Sequence, residues 1–319
     1  MTSCSRDALD AHEPLDGTAP YATAWIVIEQ PGPWGRDALS DSHLDRRFAT
    51  HLMKAKGTGV SVLLARHRDR PERAQTASRH VWVARSAPGG VLMRHAEVDS
   101  LEALLTWDLT AIGAGSLPAF GTVARTPVTF ICTHSGRDRC CAVHGRALVN
   151  DLMSRLDAYQ RSHVWECSHI GGHRFAPVSL TLPSGAVHGR LDVESVLRVV
   201  EGAPDGRVVL AHLRGRSALT APLQVAATAA QRQWAVEDVD ALDVLHVVDG
   251  SPRAVRPPMA PLEDDAPVVA EVRHADGRSW RAVVTPRALE RERMESCGKS
   301  PVPGIRWECG DLVSVDDWR

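Results

Sequence analysis

The chain has 319 residues, of which 24% are charged and 44% hydrophobic, and its net charge is −2. That composition excludes a mostly disordered, collagenous or low-complexity chain, and the near-zero charge supplies no basic field for nucleic acid. No stretch approaches the roughly 18 uninterrupted apolar residues of a membrane span, and the polar, acidic opening 1–19 lacks the apolar core of a signal peptide.

In chain order, 24–28 reads as a strand, 30–37 as a loop rich in Pro and Gly, and 44–55 as a helix. Residues 59–65 follow as a strand, and 80–85 with 91–94 as a hairpin closed by Pro88-Gly89-Gly90. Asp99 then precedes a helical pattern with Leu101, Leu104 and Leu105. The same grammar returns roughly 95–105 positions later: strand 128–132, loop 134–140, helix 141–156, strand 163–167, hairpin 178–182 with 186–191, then Asp192 before a helix carrying Val196, Val199 and Val200. Gly35-Arg36-Asp37 is echoed by Gly136-Arg137-Asp138 in the matching loop.

Strand–helix–strand–hairpin–helix is the thioredoxin-like layout, with a sheet packed against helices. The expected fold is therefore α/β: two thioredoxin-like units in tandem, 20–115 and 120–205. Beyond them, 205–213 reads as a strand and 217–236 as an Ala/Gln-rich helix, together a helical extension over 206–250. A Pro-rich linker, 251–267, leads to a small β-rich segment, 268–319, whose 268–273 and 280–285 form a hairpin around Ala275-Asp276-Gly277.

Seven cysteines are too few for a disulfide-stapled secreted fold of this length. Cys132, Cys140, Cys141 and Cys167 fall within 36 positions, whereas Cys4, Cys297 and Cys309 lie far from them. Such clustering points to metal or redox chemistry in reducing cytoplasm. The first strand of the second unit runs into Cys132-Thr-His-Ser-Gly-Arg-Asp-Arg-Cys-Cys141, and its second strand ends in Cys167-Ser-His169-Ile-Gly-Gly-His173. Both segments occupy one edge of the sheet, so Cys132, Cys141, His169 and His173 can converge on one small volume. The first unit has Pro31, Leu39-Ser40 and the 67–73 stretch at these places and no comparable donor set.

Thiolates and imidazoles suit zinc, copper or iron–sulfur clusters. Zinc knuckles usually separate paired cysteines by two to four residues. Eight residues stand between Cys132 and Cys141, which fits a loop wrapping something larger than one ion, such as a [2Fe–2S] rhomb. Glycines 171 and 172 let the backbone approach closely between the two histidines.

With Cys132-x8-Cys141, His134, Arg137-Asp138, His169-x-Gly-Gly-His173 and Arg214-Gly-Arg216-Ser-Ala-Leu, the chain resembles the sucrase/ferredoxin-like family over 20–235. The resemblance implies a thioredoxin-like ferredoxin with a bis-histidinyl [2Fe–2S] cluster held by Cys132, Cys141, His169 and His173. It implies a redox carrier rather than a stand-alone enzyme, with no catalytic residues of its own. Separate electron donor and acceptor proteins of a reductase or oxygenase system would be its partners, and neither nucleic acid nor membrane. No pair of carboxylates on a sugar-binding frame supports the word sucrase. Two ferric ions, two sulfides and two thiolates sum to zero charge, against −2 with four thiolates, so the potential should exceed that of plant-type ferredoxins. Imidazole ligands can also couple the electron to a proton.

The other residues have plainer readings. Cys140 competes with Cys141 for the same site, and the spacing and the resemblance favour Cys141. Cys167, two residues before His169, is either a spare ligand or, the favoured reading, a small buried hydrophobe. His134 either donates a hydrogen bond behind the ligands or is an exposed loop residue, and Arg137 with Asp138 reads as a loop brace. Arg139, Arg146 and Arg174 are either steering charges or solvated surface. Cys297 and Cys309 either pair or bind metal, or, with no histidines beside them, stay unpaired thiols, the favoured reading, and the echo of Trp165-Glu-Cys167 in Trp307-Glu-Cys309 reads as chance. Two rival functions use the same residues: a structural Cys2His2 zinc site, and a thiol–disulfide oxidoreductase. The second has no Cys-x-x-Cys opening a helix.

Overall fold

Two apolar runs, each buried along its whole length, are the spines of the molecule: β1 (Ala24–Glu29) and, a unit later, Val128–Cys132. In the computed structural model, which describes residues 3–72, 77–87, 90–254 and 266–318, they lie in one ten-stranded sheet. β1 pairs parallel with β2 (Val60–Arg66) and antiparallel with β3 (Arg79–Arg85), which pairs with β4 (Leu92–Val98). After the short β5 (Thr122–Val123), β6 (Val128–Cys132) pairs parallel with β7 (Val164–Cys167) and antiparallel with β8 (Ser179–Leu182), which pairs with β9 (Ala186–His188). The two halves thus have the same strand order, β2-β1-β3-β4 and β7-β6-β8-β9. This is the expected α/β layout of tandem units with a β-rich C-terminus.

The units join through equivalent strands. β2 and β7 pair antiparallel, Ala65 opposite Cys167 and Arg66 opposite Glu166, so an approximate twofold axis runs through the middle of the sheet. A short ion pair of 2.5 Å between Arg66 Nη2 and Glu166 Oε2 closes the seam, and Thr133 Oγ1 donates to the same carboxylate at 2.7 Å.

Alternation along β1 separates two cores. Ala24, Ile26 and Ile28 pack with Phe48, Leu52, Leu104 and Ile112 beneath the helices of the first unit. Trp25 and Val27 face the other side, where Phe130, Cys132, Trp165 and Phe175 meet Cys4 and Leu15 of the N-terminal segment. On β6, Ile131 turns instead toward the helices Arg146–Met153 and Val193–Gly202.

Several local expectations change. The polar opening folds into a helix, Cys4–Asp10, capped by Ser3. After Asp99 comes a 3-10 turn, Glu102–Thr106, rather than a longer helix, with Leu101 and Leu104 buried three residues apart, and Asp108 caps the next helix, Leu109–Gly113. Of the strand expected at 205–213, only β10 (Leu213–Arg216) begins where it should end, because the neighbouring β9 is three residues long and offers no further edge. Pro88 and Gly89 of the expected hairpin turn lie outside the described residues.

The helix Ala221–Gln233 packs Leu223, Ala226 and Ala230 onto a second, antiparallel sheet. It consists of β11 (Leu242–Val248), β12 (Ser251–Arg253), β13 (Val268–His274), β14 (Ser279–Ala288), β15 (Ile305–Cys309) and β16 (Val313–Ser314). The stretch expected as a helical extension therefore also supplies β10 and β11. The expected linker begins as β12, and 255–265 lie outside the described residues. The hairpin β13–β14 forms as expected, with Gly277 at φ +96°, a conformation that favours glycine. Between β14 and β15 the chain leaves this sheet and reaches back to the first one.

Candidate metal centre

Cys132 is the last residue of β6, and Cys141 opens a π-helical turn, Cys141–Gly145, that continues as the helix Arg146–Met153. Gly145 faces the Cys132 carbonyl so closely that a Cβ there would overlap its oxygen. The missing side chain and the widened turn bring the two cysteines together. The loop between them is held by the first unit: His134 Nε2 lies 2.9 Å from the Gly35 oxygen, and Gly136 packs directly on Gly35. The two Gly-Arg-Asp loops thus meet at the twofold axis. Asp138 stands just before the helix, where its Oδ1 accepts from the Cys140 N–H at 2.8 Å.

The histidines come from the loop after β7. Gly171 and Gly172 have φ of +115° and +71°, and a Cβ on Gly172 would overlap the Arg214 guanidinium. Arg214, 1% exposed, donates to the Gly171 carbonyl at 2.8 Å and to Thr18 Oγ1 at 3.0 Å, and also bonds the Thr18 carbonyl. Burial lowers its pKa to about 9. Beside it, Arg174 pairs with buried Glu13 at 2.8 Å, which itself also binds Arg293 at 3.2 Å. Arg174 is therefore a brace for its neighbour His173 rather than a free steering charge.

Ligand atoms of Cys132, Cys141 and His169 lie within 4.8 Å of one another, with both cysteines buried. The His173 ring lies 5.1 Å from that of His169, centroid to centroid. His173 Nε2 is engaged, 2.9 Å from Ser296 Oγ and 3.5 Å from Asp138 Oδ2. Nδ1 of His169 and Nδ1 of His173 are buried with no hydrogen-bond partner among the described residues. Such nitrogens cost free energy unless they bind something. The Cys141 thiol and His169 hold Cys132 well below the usual thiol range despite its burial, while Cys132 and burial push Cys141 up. Burial lowers His173, against the opposing pull of Asp138. Cys132, Cys141 and His169 thus form a three-donor group that could hold a soft or borderline metal, with His173 beside it but outside that group.

Other sequence candidates fall elsewhere. Cys167 is fully buried in the core beside β6, as a small hydrophobe. His134 is buried, not exposed, with its ring edge-on to Trp34 at 5.7 Å. Asp138 braces its loop through the Cys140 N–H and also reaches the Cys297 N–H of the C-terminal segment. Arg139 and Arg146 are exposed, and Cys309 lies on β15 beside the second core.

Cys140 does not compete with Cys141. Adjacent helical residues point about 100° apart, and Cys140 turns to a second group made of Cys4, Asp138 and Cys297. Cys297 is thus not an isolated thiol, and Cys4, from the N-terminal helix, is not remote. The adjacency of Cys140 and Cys141, whose side chains diverge along the turn, is the sequence feature that matches two donor groups rather than one.

Fold and site together define an α/β protein of two tandem units, and among the described residues both soft-donor groups lie around the second. The sucrase/ferredoxin-like family model matches residues 15–215, and the chain belongs to that family. The match takes in both units and stops in β10, leaving the second sheet outside it. No curated protein and no solved structure gives a significant match. Among the described residues no helix is long and apolar enough to cross a membrane.

Proposed function

We propose that the protein is a [2Fe–2S] electron carrier whose cluster is held by Cys132, Cys141, His169 and His173. One observation carries the reading: two buried thiols converge with His169, while the Nδ1 atoms of His169 and His173 are buried with no partner among the described residues. Bound there, the cluster supplies one-electron transfer.

The chain's own residues tune that site. Arg214, buried behind the His169–His173 loop, places a positive charge that favours an added electron. The outward Nε2 of His173 can hold a proton between Ser296 and Asp138, so proton uptake there would accompany reduction. The burial of Cys132 and Cys141 excludes water and keeps the thiolates from exchange. Electrons would come from and go to separate proteins in the cytoplasm, since no nucleotide-binding Gly-rich loop accompanies the site.

The test is iron, sulfide and zinc analysis of anaerobically purified protein, with visible spectra before and after dithionite. The reading expects about two irons and two sulfides per chain and a colour that bleaches. Zinc bound without sulfide, and lost on Cys132→Ser, would replace it with a structural metal site.

A further inference from the structure

Three cysteines from distant parts of the chain meet beside this site. Cys4 Sγ lies 3.4 Å from Cys140 Sγ, Cys140 Sγ 3.3 Å from Cys297 Sγ, and Cys297 Sγ 3.6 Å from Cys4 Sγ. Asp138 Oδ1 is 3.7 Å from Cys4 Sγ, and one ligand atom from each of the four residues falls within a 4.8 Å group. Zn–S bonds of about 2.3 Å put neighbouring sulfurs of a tetrahedral site about 3.8 Å apart. The triangle is within about half an ångström of that edge. A disulfide joins only two sulfurs and leaves the third aside, whereas here all three are mutually close.

We propose that Cys4, Cys140 and Cys297 form a second, structural metal site for a thiophilic divalent ion of the zinc class, with the Asp138 carboxylate in the fourth position. The pieces are already oriented for it. Asp138 accepts from the backbone N–H of Cys140 at 2.8 Å and of Cys297 at 3.0 Å, which fixes the carboxylate between them. Cys4 and Cys140 are buried, and Cys297 is half-buried beside a cavity lined by Arg6, Arg139 and Lys299, which opens a path for the ion. Three thiolates, one carboxylate and a divalent ion sum to −2, and those cationic side chains offset it.

The site ties three segments that share no secondary structure: the N-terminal helix, the ligand loop of the second unit, and the excursion between β14 and β15. That excursion also sets Ser296 on His173 and Met294 N–H on Asp7 at 2.5 Å. The ion would thus clamp the C-terminal segment over the first site, independently of what that site holds.

The experiment is metal analysis of the full chain, purified anaerobically, as wild type and as Cys4→Ser, Cys297→Ser and Cys132→Ser. About one zinc per chain is expected in wild type. Cys4→Ser and Cys297→Ser should lose the zinc and keep wild-type iron, while Cys132→Ser should keep the zinc. Absence of zinc from wild type, iron lost with Cys297→Ser, or an unreduced mass about two units below the all-thiol value would each overturn the proposal. Should the variants not fold, cobalt added to zinc-stripped wild type decides: one equivalent should give thiolate-to-metal charge-transfer bands with tetrahedral ligand-field bands, and their absence overturns the site.

Discussion

At the scale of single residues, Arg214 links the loop that carries both histidines to the N-terminal segment, and it is cationic in a buried place. Arg214→Met removes the charge and leaves the Gly171 and Thr18 carbonyls short of donors, a loss of about 2–4 kcal/mol that a urea melt would read. The reduction potential, followed by the visible spectrum, should fall, because the added electron loses a nearby positive charge. Arg214→Lys separates the two effects: it keeps the charge but not the planar fork, so stability should drop while the potential stays closer to wild type. His169→Cys tests the ligand assignment itself. It adds a thiolate and one negative charge, so the spectrum should shift and the potential should fall. An unchanged spectrum would remove His169 from the ligand set.

At the scale of elements, two glycines hold backbones in contact where a methyl group has no room. Gly145 lets the π-helical turn press on the end of β6, and Gly136 lets the two Gly-Arg-Asp loops meet. Gly145→Ala should push the helix off the Cys132 carbonyl, separating Cys141 from Cys132. We expect a loss of about 1–3 kcal/mol together with reduced iron content. Gly136→Ala strains the contact between units instead, so its stability loss should come with less loss of iron. Equal iron content in both variants and wild type would show that the Cys132–Cys141 approach does not depend on the turn.

Across the whole molecule, Glu13 gathers three regions: the N-terminal segment it belongs to, Arg174 beside the ligand loop, and Arg293 of the excursion from the second sheet. Glu13→Gln takes the buried counter-charge from Arg293, which keeps only the more distant and exposed Glu295, and from half-buried Arg174, and should cost about 3 kcal/mol in a chemical melt. Acid should also weaken the fold. Burial lowers the His188 pKa to about 3 and that of His80 to about 4. The unfolded chain takes up these protons near pH 6.5, so the stability each histidine contributes is complete above that pH. It is lost as the pH falls toward 4 and 3, by at most about 1.4 kcal/mol per pH unit per histidine. Urea midpoints between pH 4 and 8 should trace this slope, and His188→Leu should flatten it. A slope unchanged in His188→Leu would mean that His188 is already protonated in the fold.

The tandem plan could be read from the sequence because it rests on local pattern. Apolar runs such as 24–28 and 128–132, the echoed Gly-Arg-Asp loops and the Asp276-Gly277 turn each act over a few residues, where sterics and burial periodicity suffice. The paired segments 132–141 and 169–173 likewise follow from which ends of neighbouring strands share a sheet edge. Tertiary structure alone decided the rest. Cys4 and Cys297 are 293 positions apart, and nothing in either neighbourhood encodes their meeting, which depends on how the excursion between β14 and β15 packs over the first sheet. The same packing brings Cys297 to the Cys140 side of the turn, adds a link from Asp138 to the Cys297 N–H, and gives His173 its Ser296 neighbour. Local periodicity sets what each segment becomes, whereas contacts between segments far apart in the chain arise only from burying their surfaces together.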